Sequence, residues 1–139
     1  MSKKRYVLDS YAVLSLLFGE EASHEVKTLL SSAEKGKNEV FMHWNNLAEV
    51  YYIIRKRESQ KKALEAISLM KALSIQFVEF DEVLWLKAAE IKGSYSVSFC
   101  GAFVAATAYL IDATIVTGDP EFKKLQDQFS IHWLTKKKK

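Results

Sequence analysis

Three carboxylic acids stand out by where they fall. Asp9 closes the apolar run 5–9 (RYVLD), Asp119 follows the β-branched run 113–117 (ATIVT) across a single glycine, and Glu49 sits near the start of the periodic segment NNLAEVYYIIRKR. An acid at the carboxyl end of a buried parallel strand lies where open α/β sheets bind their ligands. If the three converge, they make an acidic site on one edge of a sheet. Each also has an ordinary explanation. Asp9 is a good N-cap for a following helix. Thr117-Gly118-Asp119-Pro120 is accounted for by a tight turn, a cap and a proline at the first helical position. Glu49 lies roughly 200° around its helix from Leu47, off the core face and with Asn46 and Ile53, where a solvent-facing Glu is common.

The elements that would position these acids are legible from periodicity. The run 5–9 reads as a strand buried on both faces. Helices follow over 11–18, on Val13, Leu14, Leu17 and Phe18, and over 23–33, on Val26, Leu29, Leu30 and Ala33, stopped by Gly19 and Gly36. A brief strand at 39–42 leads to a helix carrying Leu47, Val50, Tyr51 and Ile54 on one stripe. Residues 61–73 form another amphipathic helix on Ala63, Leu64, Ile67, Met70 and Leu73, and 75–80 (IQFVEF) alternates as a strand. Asp81 caps a helix closed by Lys92-Gly93, and Ser98 caps SFCGAFVAATAYL, whose Ala102, Ala105, Ala106 and Tyr109 are expected to press on the sheet. Strands at 113–117 and 130–133 complete an α/β chain with a mainly parallel sheet.

At 139 residues with 49% hydrophobic composition, the chain can bury one core without covalent staples. We expect a single domain over 1–135 and a basic tail at 136–139. The single Cys100 excludes an internal disulfide framework and suits a reducing compartment. The amino-terminal segment imitates a signal peptide, but Asp9 interrupts its apolar run, and no stretch is apolar enough to cross a bilayer. Net charge is +3, of which Lys136, Lys137, Lys138 and Lys139 supply four and leave the remainder at −1. That tail reads as solvated. Arg55, Lys56, Arg57, Lys61 and Lys62 around a helix boundary are better placed to touch phosphates, although a solvated helix end explains them too. His24, His43 and His132 have no spacing that argues for zinc or a triad. Cys100 reads as a small packed residue.

Taken together, YVLDS, NLAEVYYIIRK, the SxxxAFxAATA helix and TGDPEF resemble, in order and spacing, the PIN-domain ribonucleases, and most closely the toxins of VapBC-type toxin–antitoxin pairs. The likeness spans nearly the whole chain. It implies a three-layer α/β/α sandwich with a central mainly parallel sheet, and a cytoplasmic homodimer. It also implies an endoribonuclease dependent on Mg2+ or Mn2+, with RNA as substrate and a cognate antitoxin that silences it. Phosphodiester hydrolysis at neutral pH calls for a hard cation that lowers the pKa of a water and neutralises charge on the phosphate, with carboxylates as ligands. Asp9, Glu49 and Asp119 match the family's acids position by position, which implies catalytic and metal-holding roles. Thr117 and Ser10 match polar positions beside them and would orient a carboxylate or a water.

One position departs from the pattern. The family's helix carries an Asp three residues after the Ser, as in SLADAF, where this chain reads Ser98-Phe99-Cys100-Gly101. Gly101 supplies no ligand, so the resemblance implies a site one acid short and an impaired enzyme. It is also a poor third helical residue, where capping geometry and the helix dipole both favour an acid. A degenerate family member, an Asp-to-Gly replacement, or a backbone that needs glycine against the sheet would each account for it. The alternative function is a non-catalytic PIN-like module that engages an antitoxin or RNA, its carboxylate pocket receiving a basic residue and the apolar surfaces of 11–30 and 47–54 forming a groove for a partner helix. A phosphohydrolase using Asp9 as nucleophile is weaker, because Tyr11 offers no second acid.

Overall fold

In the computed structural model, which describes residues 3–135, β1 (Lys4–Leu8) is the central strand of a five-stranded sheet of order β3-β2-β1-β4-β5. The lysines of the expected tail lie outside the described residues. Every pairing is parallel: β1 with β2 (Asn38–His43) and β4 (Thr114–Thr117), β2 with β3 (Gln76–Val78), and β4 with β5 (Ile131–Trp133). Parallel strands need crossovers, and helices supply them. β1 leads to β2 through α1 (Ser10–Leu17) and α2 (Ser23–Glu34), and β2 to β3 through α3 (Trp44–Arg57) and α4 (Gln60–Ala72). β3 leads to β4 through α5 (Glu82–Ser94) and α6 (Phe99–Ile111), and a 3-10 helix, Pro120–Leu125, precedes β5.

Strand alternation divides the core in two. Leu8, Val40, Met42 and Val116 pack under α1 to α4, with Val13, Val26, Leu30, Val50 and Met70. Val7 and Ile115 face the other way, onto α5, α6 and the 3-10 helix, with Ala102, Phe103, Ala105, Ala106 and Leu125. The result is the three-layer α/β/α sandwich that the resemblance implied.

Some local expectations need correction. Leu64 is 52% exposed, because α4 buries the stripe Ala63, Ala66 and Met70 and leaves Leu64 on its flank. Tyr109 is 60% exposed: α6 is buried from Gly101 through Ala108, and Tyr109 beyond it lies under Lys87, whose Nζ is 4.2 Å from the ring centroid. α5 continues through Gly93 to Ser94. β3 stops at Val78, shorter than its alternation suggested, because its partner β2 ends at His43, the residue paired with Val78.

The sheet places a switch point between β1 and β4. From β1 the chain builds outward to β2 and β3 on one side, then crosses back to β4 and β5 on the other. Crevices at such reversals, outside the carboxyl ends of the strands, are where open α/β sheets take ligands. Asp9 follows β1 and Asp119 follows β4, so the two aspartates flank that crevice.

Candidate active site

Asp9 caps a helix from within the candidate site. Its Oδ1 accepts from the Ala12 amide at 2.8 Å, fixing the start of α1, while Oδ2 accepts from the Thr117 hydroxyl. The Thr117 oxygen in turn accepts from the Asp119 amide at 2.9 Å, and Asp119 Oδ1 accepts from the Glu121 amide at 3.0 Å. The cap and the site readings are therefore not rivals: capping clamps each carboxylate at the sheet edge. Asp9 is 4% exposed, and its pKa is pushed up to about 7. Burial is the main cause, reinforced by the negative charges of Asp119 and Glu49 and opposed by the Thr117 and Ala12 hydrogen bonds.

Glu49 is half-buried, contrary to the solvent-facing reading. Its helix begins beside α6. The His43 imidazole caps α3 by accepting from the Asn45 amide at 2.9 Å, and the Asn46 side chain donates to the Cys100 carbonyl at 2.9 Å. That tether turns the face shared by Asn46 and Glu49 toward α6, which helical periodicity alone could not reveal.

Asp9, Glu49, Asp119 and Gly101 line one cavity of about 250 Å3, with Ser10, Asn46 and Glu121. Gly101 is the buried third residue of α6, and its amide donates to the Ser98 cap at 2.9 Å. A larger cavity, about 510 Å3 between Tyr95, Tyr109 and Phe129, carries no convergent acids; the smaller one is the candidate for chemistry.

The donor set suits a hard cation. Carboxylate and amide oxygens are the ligands Mg2+ and Mn2+ prefer. Asn46 is 1% exposed, and its Oδ1 is buried with no hydrogen-bond partner among the described residues. An orphaned buried acceptor beside three acids invites positive charge. Among the described residues, no three acidic, histidine or cysteine side chains close around one metal-sized point. The acids line one cavity without closing on one coordination sphere.

Neighbouring groups define what the cavity is not. Burial first, and then the charge of Glu49, pushes the Cys100 thiol up to about 11, so it stays protonated at neutral pH and is a poor nucleophile. His132 pairs with Glu25 at 3.2 Å. Gly118 is dictated by contact: a Cβ there would lie 2.3 Å from a ring carbon of Tyr11. Gly118→Ala should lower stability by about 1–3 kcal/mol in urea unfolding, as overpacking does; an unchanged midpoint would mean that the ring moves freely.

Sequence comparison assigns the family. A family model described as the PIN domain matches residues 6–128, most of the chain. The chain belongs to the PIN domain family. No curated protein matches the sequence of this PIN domain. Solved structures share its fold at low identity. VapBC2 from Rickettsia felis, bound to a promoter DNA fragment, matches at TM-score 0.75 and 14% identity, over 94% of this chain and 99% of that one. VapBC-1 from nontypeable Haemophilus influenzae matches at 0.71 and 17%, over 95% and 99%. Mycobacterium tuberculosis VapC20, a sarcin-ricin loop cleaving toxin, matches at 0.70 and 16%, over 89% and 95%. Sequence reasoning had assigned no role to Asn46 or Glu121. The first shares the Glu49 face, and the second stands inside TGDPEF.

Proposed function

We propose that this PIN domain is a metal-dependent endoribonuclease, the toxin of a VapBC-type toxin–antitoxin pair, with Asp9, Glu49 and Asp119 as its catalytic and metal-holding carboxylates. The observation that carries the reading is the cavity at the β1/β4 switch point, lined by acids from three separate elements and by the orphaned Asn46 oxygen. Mg2+ or Mn2+, when bound there, would lower the pKa of a water and offset charge on the scissile phosphate. The protein's own part is positional. Thr117 holds Asp9 and the Asp119 backbone in one hydrogen-bonded line, and Asn46 ties α3 to α6 so that Glu49 faces the same space. Gly101 contributes no carboxylate, so turnover is expected below that of a site with an acid on α6.

RNA is the proposed substrate and an antitoxin the proposed partner, supported by the VapBC assemblies among the matched structures. Of the two apolar surfaces expected to form a groove, the 11–30 segment lines one, with Leu16, Leu17 and Phe18 facing Leu69 of α4, whereas Leu47 and Val50 of the 47–54 segment are buried in the core and Ile54 only borders the groove. That groove suits an amphipathic segment of an antitoxin. A homodimer is supported by apolar side chains left exposed around α5 and α6, namely Val83, Leu86, Phe99 and Tyr109. Among the described residues no helix is long and apolar enough to cross a membrane, and the proposed compartment is the cytoplasm.

Incubating the purified chain with structured RNA and millimolar Mn2+ should give cleavage that EDTA stops. Intact RNA in the presence of folded protein and Mn2+ would count against the nuclease reading. It would favour the non-catalytic module, whose carboxylate pocket and apolar groove would then serve to bind a partner.

A further inference from the structure

We propose that Glu121 replaces the acid that α6 lacks: its carboxylate occupies the space a side chain at position 101 would fill and supplies the cavity's fourth acidic group. This rests on the metal-site reading above and extends it to a residue from a different element. A Cβ built on Gly101 would stand 2.7 Å from Glu121 Oε2 and 3.3 Å from its Cδ. No side chain can grow from position 101 while Glu121 stays where it is.

Hydrogen bonding points the same way. In a capping box the third helical residue is an acid that accepts from the amide of the N-cap. In α6 that third residue is glycine, and the Ser98 amide donates instead to Glu121 Oε1 at 2.7 Å, across 23 positions of sequence. The Ser98 hydroxyl also donates to Glu121 Oε2 at 2.8 Å. Glu121 thus carries the structural half of the missing acid's work. Its place in the cavity wall with Asp9, Glu49 and Asp119 gives it the chemical half. The orphaned oxygen of Asn46 in the same wall is independent evidence that the cavity receives a positive group. Delivery is local: the Asp119 cap fixes the Glu121 amide and so the start of the 3-10 helix that aims this side chain at α6.

Glutamine at position 121 separates the two roles, since it keeps an oxygen for the Ser98 amide but removes the charge. Mn2+ binding would be titrated on the full-length chain by the electron paramagnetic resonance signal of the free ion, with thermal melting confirming that each variant is folded. Glu121→Gln should weaken Mn2+ binding by about tenfold or more, the scale of loss when a partner of a metal site is removed. Because glutamine still fills the space beside position 101, the replacement is tested in the Glu121→Ala background: adding Gly101→Asp to Glu121→Ala should return most of the Mn2+ affinity that Glu121→Ala loses, since the new carboxylate enters the vacated space. Unchanged affinity in Glu121→Gln, with affinity lost in Asp119→Asn, would reduce Glu121 to a cap and leave the three-acid reading standing. A Gly101→Asp/Glu121→Ala double variant that binds no better than Glu121→Ala would overturn the equivalence of the two positions. If Asp119→Asn also leaves Mn2+ binding unaltered, the metal-site reading itself fails, and this proposal with it.

Discussion

Stripped of divalent cations, the protein should lose stability as pH rises from about 4 to about 7, and Asp9→Asn should remove most of that loss. The sign follows from burial. Asp9 has its pKa raised from 3.8 to about 7, by desolvation first and by Asp119 and Glu49 in support. A carboxyl group whose pKa is higher in the folded state binds its proton more tightly there. Its contribution is fully present below the unfolded pKa and disappears as pH climbs through the folded one. A shift of about three units corresponds to roughly 4 kcal/mol, and relaxation of a real interior makes about 2–4 kcal/mol the reasonable range. At this chain length that amounts to a fall in Tm of about 10 °C. Asparagine keeps an acceptor for the Ala12 amide and can donate to the Thr117 oxygen, so its melting curve should stay flatter over the same window. Millimolar Mn2+ above pH 7 should return stability to the wild type, by about 2.7 kcal/mol at a hundredfold excess over Kd. Thermal melts of both proteins from pH 4 to 8, with EDTA and with Mn2+, test this. Parallel pH slopes would mean that Asp9 is not the group responsible.

Glu49→Gln and Asp119→Asn should each reduce kcat/KM for Mn2+-dependent RNA cleavage by about a hundredfold or more, with little change in fold. Losing a hydrogen-bonding partner of a metal ligand commonly costs about 10–100-fold, and losing a ligand's charge should exceed that. Both replacements are nearly isosteric. In Asp119→Asn the side-chain amide still presents an oxygen to the Glu121 backbone, so the 3-10 helix keeps its cap. What disappears is negative charge at the switch-point edge. Single-turnover cleavage with circular dichroism as the folding control is the measurement. Retention of wild-type cleavage in Asp119→Asn would remove it from the machinery and return it to the role of cap.

Much of the scaffold was legible because its signals are local. Asp81, Ser98 and Asp119 cap helices within two or three residues of themselves, so residue type and spacing announce them. Asp9 does the same for α1. For Glu49 periodicity alone left the solvent-facing alternative open, because it identifies the core stripe and is silent about what packs on the opposite side. Tyr109 was misplaced for a related reason: the i, i+3, i+4, i+7 stripe of α6 runs on to position 109, but the burial of the helix ends at Ala108. Glu121 gave no signal, since an acid in the first turn of a short helix is unremarkable until the empty side-chain position on α6 is seen beside it.

By itself the sequence determined the order of strands and helices, the capping acids and the family to which they belong, all of which depend on neighbours a few residues apart or on a pattern carried along the chain. Only the tertiary structure decided which acids meet. Strand order sets β4 beside β1 and joins Thr117 to Asp9 across 108 positions. It also brings α3 against α6, so that Glu49 faces the cavity, and lays the Glu121 carboxylate over Gly101. Burial among like charges, which pushes Asp9 up to about 7, exists only once those crossings are made.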